Sequence, residues 1–522
     1  MKALAVLSSQ ERLYEQSRQQ FEQIVERLCC EEIHLMSHSQ IERELEKMGR
    51  ELMRKLFEEH LRSRGPGRIG IGEPVTGADA VERPCMRLHE RDLETIFGTV
   101  AVERVGYYNK DKSPSLHPLD AELNLPEQKY SLELCRRVAE EAAKTSFDET
   151  FESISKNTGG HVPKRQIEEL VRDAARDFDA FYKMRHEQVA ERKDIGSILV
   201  MSVDGKGVVM RTSDLREQTR KAAQARKHKM GARLSKGEKK NAKRMATVAA
   251  VYTVAPFIRK PEDLICENDA ERCEAIRPRP EKKRVWASIK KTPQQVIEEA
   301  FAEASCRDPL HQMSWVALVD GNKHQIRILR RMAREKGIDL TLIVDIIHAT
   351  EYLWDAGRTF YPDSGQELES WVRDRLLEIL RGNAGYVAGG MRRSATMRNL
   401  AACDRKSVDI CANYLLTYGP YFKYDRYLDQ GYPIATGVIE GACRHLVKDR
   451  MEITGARWSL EGAEAILRLR ALRASCDFDE YWTFHESQEY ERNHRSLYAG
   501  GMVPPTLKPR TAGKRNHLKT VK

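Results

Sequence analysis

No apolar run in the chain is long enough to cross a bilayer. The longest, Met245 to Ile258, has 14 residues and contains Thr and Pro256, whereas a spanning helix takes about 20. The opening MKALAVLSSQER turns polar after a very short apolar run, which argues against a signal peptide. Eleven cysteines are scattered along the chain without one CxxC pair. That excludes a zinc ribbon and a disulfide framework, and a reducing, cytoplasmic setting is expected. Low-complexity and collagen-like classes also fall away, because 41% of the residues are hydrophobic and can fill real cores.

What the chain has in excess is positive charge. Its 522 residues carry 88 Lys and Arg against 78 Asp and Glu, a net +10. A chain of this length holds roughly three or four domains, and its charge suits a polyanionic partner. Residues 211–244 concentrate the excess, with 13 Lys or Arg against 3 acids. On composition alone this run is equally a solvated loop. As a phosphate grip it would act through Lys236, Lys239, Lys240, Lys243 and Arg244. After Glu491 no acid occurs, and the reading there is an unstructured basic tail.

Helical periodicity covers residues 10–62 and stops at Arg64-Gly65-Pro66-Gly67. Residues 94–108, ETIFGTVAVERVGYY, alternate as a small hairpin does. Three helical patterns follow from Tyr130 to Lys183. A short one containing Phe151 and Ile154 is separated by Asn157-Thr158-Gly159-Gly160 from a longer one opened by Pro163. The longer one carries Ile167, Leu170, Val171, Ala174 and Phe178 on one stripe. Short helix, glycine turn and longer helix is the layout of a helix-turn-helix, and an ordinary helical hairpin reads the same way. In the first case Lys164, Arg165 and Gln166 would open the recognition helix.

Strand candidates follow at Ile195–Val203, Met245–Ala255, Ser314–Val319 and Leu340–Ile347, alternating with helical stretches, so the class is mixed α/β. The first ends in Asp204-Gly205, the third in Asp320-Gly321, and the fourth carries Asp345 with His348 three residues on. Carboxylates at strand ends can share a divalent cation, since Mg²⁺ and Mn²⁺ favour oxygen ligands. Asp-Gly also marks simple turns. A third carboxylate would complete a two-metal site, and Asp345, Glu440, Asp449 and Glu452 are the candidates. Glu440 lies early in a helix, TGVIEGACRHLVKDRM, with Thr436 as its expected N-cap.

Asp204 to Asp320 spans 116 residues and Asp320 to Glu440 spans 120. With VMSVDGKG, WVALVDGNK, VDIIHATEYLW and YPIATGVIEGACRHLVKDRMEITGARWS around these positions, the chain resembles insertion-sequence DDE transposases of the Kra-type group. These have an RNase H-like core and kinship to Mutator-like enzymes. FGTVAVERVGYY and HPLDAELNLPEQKYS extend the similarity over roughly residues 90–475.

The resemblance implies Asp204, Asp320 and Glu440 as catalytic, metal-binding residues, with Asp345 and His348 supporting them. It implies two Mg²⁺ or Mn²⁺ ions per site and a helical insertion before the last carboxylate. Many such enzymes have Lys or Arg seven residues after the Glu. Here position 447 is Val, which leaves Arg444 or Lys448 for that role. The implied activity is cleavage at terminal inverted repeats and joining of the 3′-hydroxyls to target DNA. A homodimer or higher oligomer on nucleoid DNA is expected, with no membrane partner. An RNase H-like nuclease and a noncatalytic DNA-binding regulator are the alternatives. The expected division is 1–125, helices with a hairpin; 126–190, helix-turn-helix; 191–357, first part of the core; 358–430, insertion; 431–475, rest of the core; and 476–522, basic tail.

Overall fold

The computed structural model describes residues 14–70, 72–110, 113–188, 198–225, 242–265, 277–363, 365–453 and 455–508. The chain is mixed α/β and divides into two compact units. One comprises Met1–Asp177 with Asp479–Lys522, the other Phe178–Phe478.

The first unit opens with a helix, Glu15–Leu28, lying against a longer one, His38–Ser63. Glu59 of the longer helix is buried and accepts the backbone N–H groups of Gln16 and Ser17, each at 3.0 Å. Those first-turn donors have no partner within their own helix, so a distant carboxylate caps it. Two short strands pair next, β1 (Val75–Thr76) and β2 (Glu82–Arg83). The hairpin then follows as β3 (Cys85–Thr95) and β4 (Gly98–Tyr108). It begins earlier than the sequence pattern indicates, because β3 buries little before Leu93; Met86 and Leu88 are 55% and 54% exposed.

Three helices pack together behind the hairpin: Leu132–Lys144, Phe147–Asn157 and Lys164–Ala174. Ile167, Leu170, Val171 and Ala174 are buried as predicted. Phe178 does not continue that stripe; it opens a separate helix, Phe178–Glu187, after a turn at residues 175–177. The glycine turn has a second role. Gly159 donates its N–H to the Ile96 carbonyl at 2.8 Å, and a Cβ there would meet the Phe97 carbonyl oxygen at 2.4 Å. Only glycine lets the hairpin tip come this close.

The supposed basic tail is corrected over much of its length. Phe478–Asn493 is a helix. Tyr481 donates from its hydroxyl to the Ala174 carbonyl at 2.6 Å, and the buried Tyr498 bridges to Gly77. The stripe Tyr481, His485, Glu489, with i, i+4 spacing, buries one face of this helix inside the expected tail 476–522. Residues 509–522 lie outside the described residues.

The second unit is built on a five-stranded sheet. β5 (Ile198–Val209), β6 (Lys243–Val254) and β7 (Glu281–Ser288) form an antiparallel meander. β8 (Ser314–Val319) and β9 (Leu340–Val344) lie parallel to β5 on its other side, giving the order β7-β6-β5-β8-β9. Helix Pro293–Arg307 leads from β7 to β8 and packs on β5 and β6. Helix Lys323–Lys336 leads from β8 to β9 and ends at Gly337 in the left-handed region, φ 66°. Two expectations need correction. β7 escaped notice because it starts with charged residues before its buried Val285 and Trp286. β5 does not stop at Val203, since β6 goes on pairing from Asp204↔Val248 to Val209↔Lys243.

Helices Gln366–Leu380, Ala384–Met397, Lys406–Tyr418 and Tyr424–Asp429 follow in the stretch where a helical insertion is expected. The chain then returns as Gly437–Ala442, a π-helical turn Cys443–Lys448, and Asp449–Met451, packed on β5 and β6. Among the described residues no helix is long and apolar enough to cross a membrane.

Candidate functional site

Strand register brings three aspartates to one edge. β5 pairs with β8 as far as Ser202↔Leu318, so Asp204 and Asp320 each lie two residues past that pair. β8 pairs with β9 as far as Val319↔Val344, which sets Asp345 level with Asp320. Adjacent strands are about 4.8 Å apart, so the three emerge side by side where the parallel pairing ends.

Each carboxylate is oriented differently. Asp204 is half-buried; its Oδ1 accepts the Gly205 N–H at 2.5 Å and its Oδ2 accepts from the Cys443 thiol at 3.2 Å. Asp320 accepts the Asn322 N–H at 2.9 Å. Burial raises its pKa and the charge of Asp204 adds to this, while the Asn322 N–H and His348 pull the other way. Asp345 does not sit within a strand as its sequence suggests. β9 ends at Val344, and Asp345 caps helix Ile346–Phe360 by accepting the Ile347 N–H at 2.9 Å. It is fully buried.

Thr436 occupies the N-cap position of its helix but makes no side-chain cap. Its hydroxyl bonds to Asp345 Oδ2 and lies 3.3 Å from Glu440 Oε1. One hydroxyl carries one proton, so it cannot satisfy two carboxylates at once. Glu440 is exposed on the first turn of the helix. A ligand atom of Asp345, of His348 and of Glu440 all lie within 4.8 Å of one another. The structure therefore groups Glu440 with the two residues expected to support it. Asp204, Asp320 and Glu440 are not such a set among the described residues.

Two features were not anticipated. Cys443 sits three residues beyond Glu440, and burial followed by the charge of Asp204 pushes its thiol pKa up, keeping the S–H that donates to Asp204. It lies in the π-helical turn, a feature often found at functional sites. The second is an aromatic wall from the insertion. Tyr414 stacks on Tyr352 with centroids 4.2 Å apart, Tyr418 donates to the Gly321 carbonyl, and Tyr424 donates to the Val344 carbonyl at 2.5 Å. Gly321 has φ 96°, and a Cβ there would meet Tyr418 at 3.3 Å. The wall thus holds the loop after Asp320. Its signal was legible: six tyrosines fall between residues 414 and 432.

The remaining candidates are placed as follows. Asp449 lies 3.8 Å from Arg444, and Glu452 lies 3.6 Å from Lys243. Val447 is fully buried, whereas Arg444 and Lys448 are exposed. Arg244 is a structural tie, donating to the carbonyls of Ile289 at 3.0 Å and Asp214 at 3.2 Å. Lys236, Lys239 and Lys240 lie outside the described residues. Lys164 pairs with Asp148 at 2.6 Å and Gln166 donates to Glu169 at 3.0 Å, while Arg165, its side chain 89% exposed, lies 3.5 Å from the same Glu169.

A second set, Asp177, His485 and Glu489 in the first unit, also has metal-compatible spacing. It differs in charge balance. Arg492 lies 2.9 Å from Asp177 and 2.6 Å from Glu489, and Arg176 lies 2.6 Å from Glu489. That set is a buried ion network. By contrast, among the described residues no Lys or Arg forms an ion pair with Asp204, Asp320, Asp345 or Glu440. Four uncompensated carboxylates and one imidazole suit divalent cations: oxygens are what Mg²⁺ takes, and the imidazole favours Mn²⁺ over Mg²⁺ at its own position. No family model matches the chain, and no curated protein matches it.

Proposed function

We propose that the chain is a DDE-type DNA transposase whose second unit is an RNase H-like core. The observation that carries this reading is that Asp320 lies beside Asp204, and Asp345 beside Glu440, with no Lys or Arg ion pair to any of the four among the described residues. Like charges this close cost free energy, and such a cost is retained where a ligand offsets it. The mixed sheet, the helical insertion and the spacing of the carboxylates support the same reading.

Asp204 and Asp320 would hold one cation at their shared edge. Asp345, His348 and Glu440 would hold a second, with Thr436 and Cys443 orienting the carboxylates. Mg²⁺ or Mn²⁺ bound there would stabilise the charge that develops on attacking and leaving oxygens in an in-line phosphoryl transfer. The chain supplies the rigid frame that sets this geometry: the middle of β5, the ends of β8 and β9, and one helix start. Terminal inverted repeats would be read by the three-helix region through Arg165, and basic residues of 211–244 would grip phosphates. Joining two ends would require a dimer or higher oligomer, acting on nucleoid DNA in the cytoplasm.

The test is single-turnover nicking and joining of a labelled element end, with binding measured in Ca²⁺. Asp320→Asn and Glu440→Gln should bind DNA and not cut it. Full cleavage in EDTA would overturn the metal reading. Hydrolysis without joining would make the protein a nuclease.

A further inference from the structure

A cavity of about 570 Å³ opens at the start of β7, bounded by the ends of helices Pro293–Arg307 and Leu460–Ala474. Five cationic side chains line it, Arg185, Lys282, Lys283, Arg284 and Arg307, against two carboxylates, Glu303 and Asp477. The helix ends offset about half a charge each, which leaves the cavity positive.

Its floor is a buried ion cluster in which one carboxylate, Glu303, serves two guanidiniums, with the charges of Glu299 and Asp179 also acting on Arg284, while Asp477 is taken up by Arg185 at 2.6 Å. Arg307 donates twice to Glu303, at 2.9 and 2.8 Å, and Arg284 pairs with the same carboxylate. His186 also meets it at 2.9 Å. Arg284 is clamped between aromatic faces, 3.4 Å from the ring centroid of Tyr182 and 4.5 Å from that of Trp286. Both guanidiniums are more than nine-tenths buried, yet Arg284 Nε and Arg307 Nη1 have no acceptor among the described residues. A buried donor left without an acceptor costs about 1–3 kcal/mol.

We infer that this cavity is an anion site that takes a phosphate group. The donors that Glu303 leaves over, Arg284 Nε and Arg307 Nη1, suit the several acceptor oxygens of one phosphate. Exposed Lys283 at the rim supplies a movable ammonium for a third oxygen. A DNA phosphodiester and a free phosphate share this chemistry. The inference does not rest on the transposase reading, because inorganic phosphate alone is a sufficient probe.

The full chain is titrated with inorganic phosphate at constant ionic strength against chloride, following Tm and ³¹P line width. A saturable response is expected. Lys283→Gln, an exposed change that leaves folding intact, and Arg307→Lys should each weaken it by about tenfold. The source is read from salt dependence of binding to a labelled duplex. If DNA supplies the phosphate, Lys283→Gln lowers the slope of log K against log salt by about 0.9. Lys336→Gln, which removes the same charge away from the cavity, should lower it by less. If a free phosphate is the ligand, the two variants change the slope equally while the phosphate response still saturates. No saturable response, or one that both cavity variants leave unchanged, overturns the inference and leaves the cavity to water.

Discussion

Asp204 and Asp320 stand level on adjacent parallel strands, each two residues past the last pair, Ser202↔Leu318. Burial and then the charge of Asp204 raise the pKa of Asp320. A carboxyl group whose folded pKa is raised stabilises the fold only at low pH. That contribution is lost as pH climbs above the unfolded value of about 3.9 and through the raised value. Metal-free protein should therefore lose stability across this window. Asp320→Asn should flatten that slope and raise Tm near neutrality while abolishing cleavage. Tm measured against pH in EDTA checks this; a variant less stable than the parent at pH 7 would contradict it.

Divalent cations should repair the same repulsion. At a hundredfold excess over Kd, a ligand bound only by the folded state adds about 2.7 kcal/mol. Mn²⁺ should raise Tm more than Mg²⁺, because His348 contributes nitrogen. His348→Ala should erase that difference and leave the Mg²⁺ effect largely in place. Equal responses to both ions in the parent protein would remove His348 from the ligand set.

Much of this site was legible in sequence, and its grouping was not. Asp204, Asp320, Asp345 and Glu440 were each singled out by an apolar run or a helix start. What sequence lacked was register. Asp345 reads as strand interior because Ile346 and Ile347 continue the apolar run past the true strand end. Thr436 reads as a cap because its spacing fits one, while its hydroxyl turns to Asp345 instead. Cys443 meets Asp204 across 239 positions, a contact no local pattern announces. In the fold, Tyr481, His485 and Glu489 carry a legible i, i+4 period, but polar His and Glu on the buried face hide it from a search for apolar residues.

Three carboxylate variants separate the roles. Glu440 is exposed, and among the described residues its side chain meets only Thr436, at 3.3 Å, so Glu440→Gln should fold normally and lose about a hundredfold or more in cleavage rate. Glu452 pairs with Lys243 at 3.6 Å, and Glu452→Gln should cost little. Asp345→Asn should lose activity and keep most of its stability. Its carboxylate accepts from the Ile347 N–H and from Thr436; an amide oxygen keeps the first bond, and the amide nitrogen can donate to the Thr436 hydroxyl, whose proton then turns to Glu440. A stable, inactive Asp345→Asn with a fully active Glu440→Gln would exchange their assignments.

The last prediction concerns the ion network that fastens the C-terminal helix within the first unit. Burial alone would raise Asp177, but its bonds to His485 and Arg492 outweigh this and hold its pKa below the ordinary value. Glu489 is held low in the same way, by Arg492 and Arg176 against its burial. Depressed carboxyl pKa values stabilise the fold above the unfolded value of about 4, and that stability is lost as pH falls through the folded values. The first unit should therefore soften in acid, opposite in direction to the Asp320 effect. Asp177→Asn would take the carboxylate from buried His485 and leave Arg492 with Glu489 alone, at a cost of about 1–3 kcal/mol. Hydrogen exchange resolved by residue measures this, since Asp177 and Tyr481 lie in one unit and Asp320 in the other. Protection should fall in the helices Lys164–Ala174 and Phe478–Asn493 and stay unchanged in β5, β8 and β9. Loss spread evenly over both units would mean that the network does not act locally.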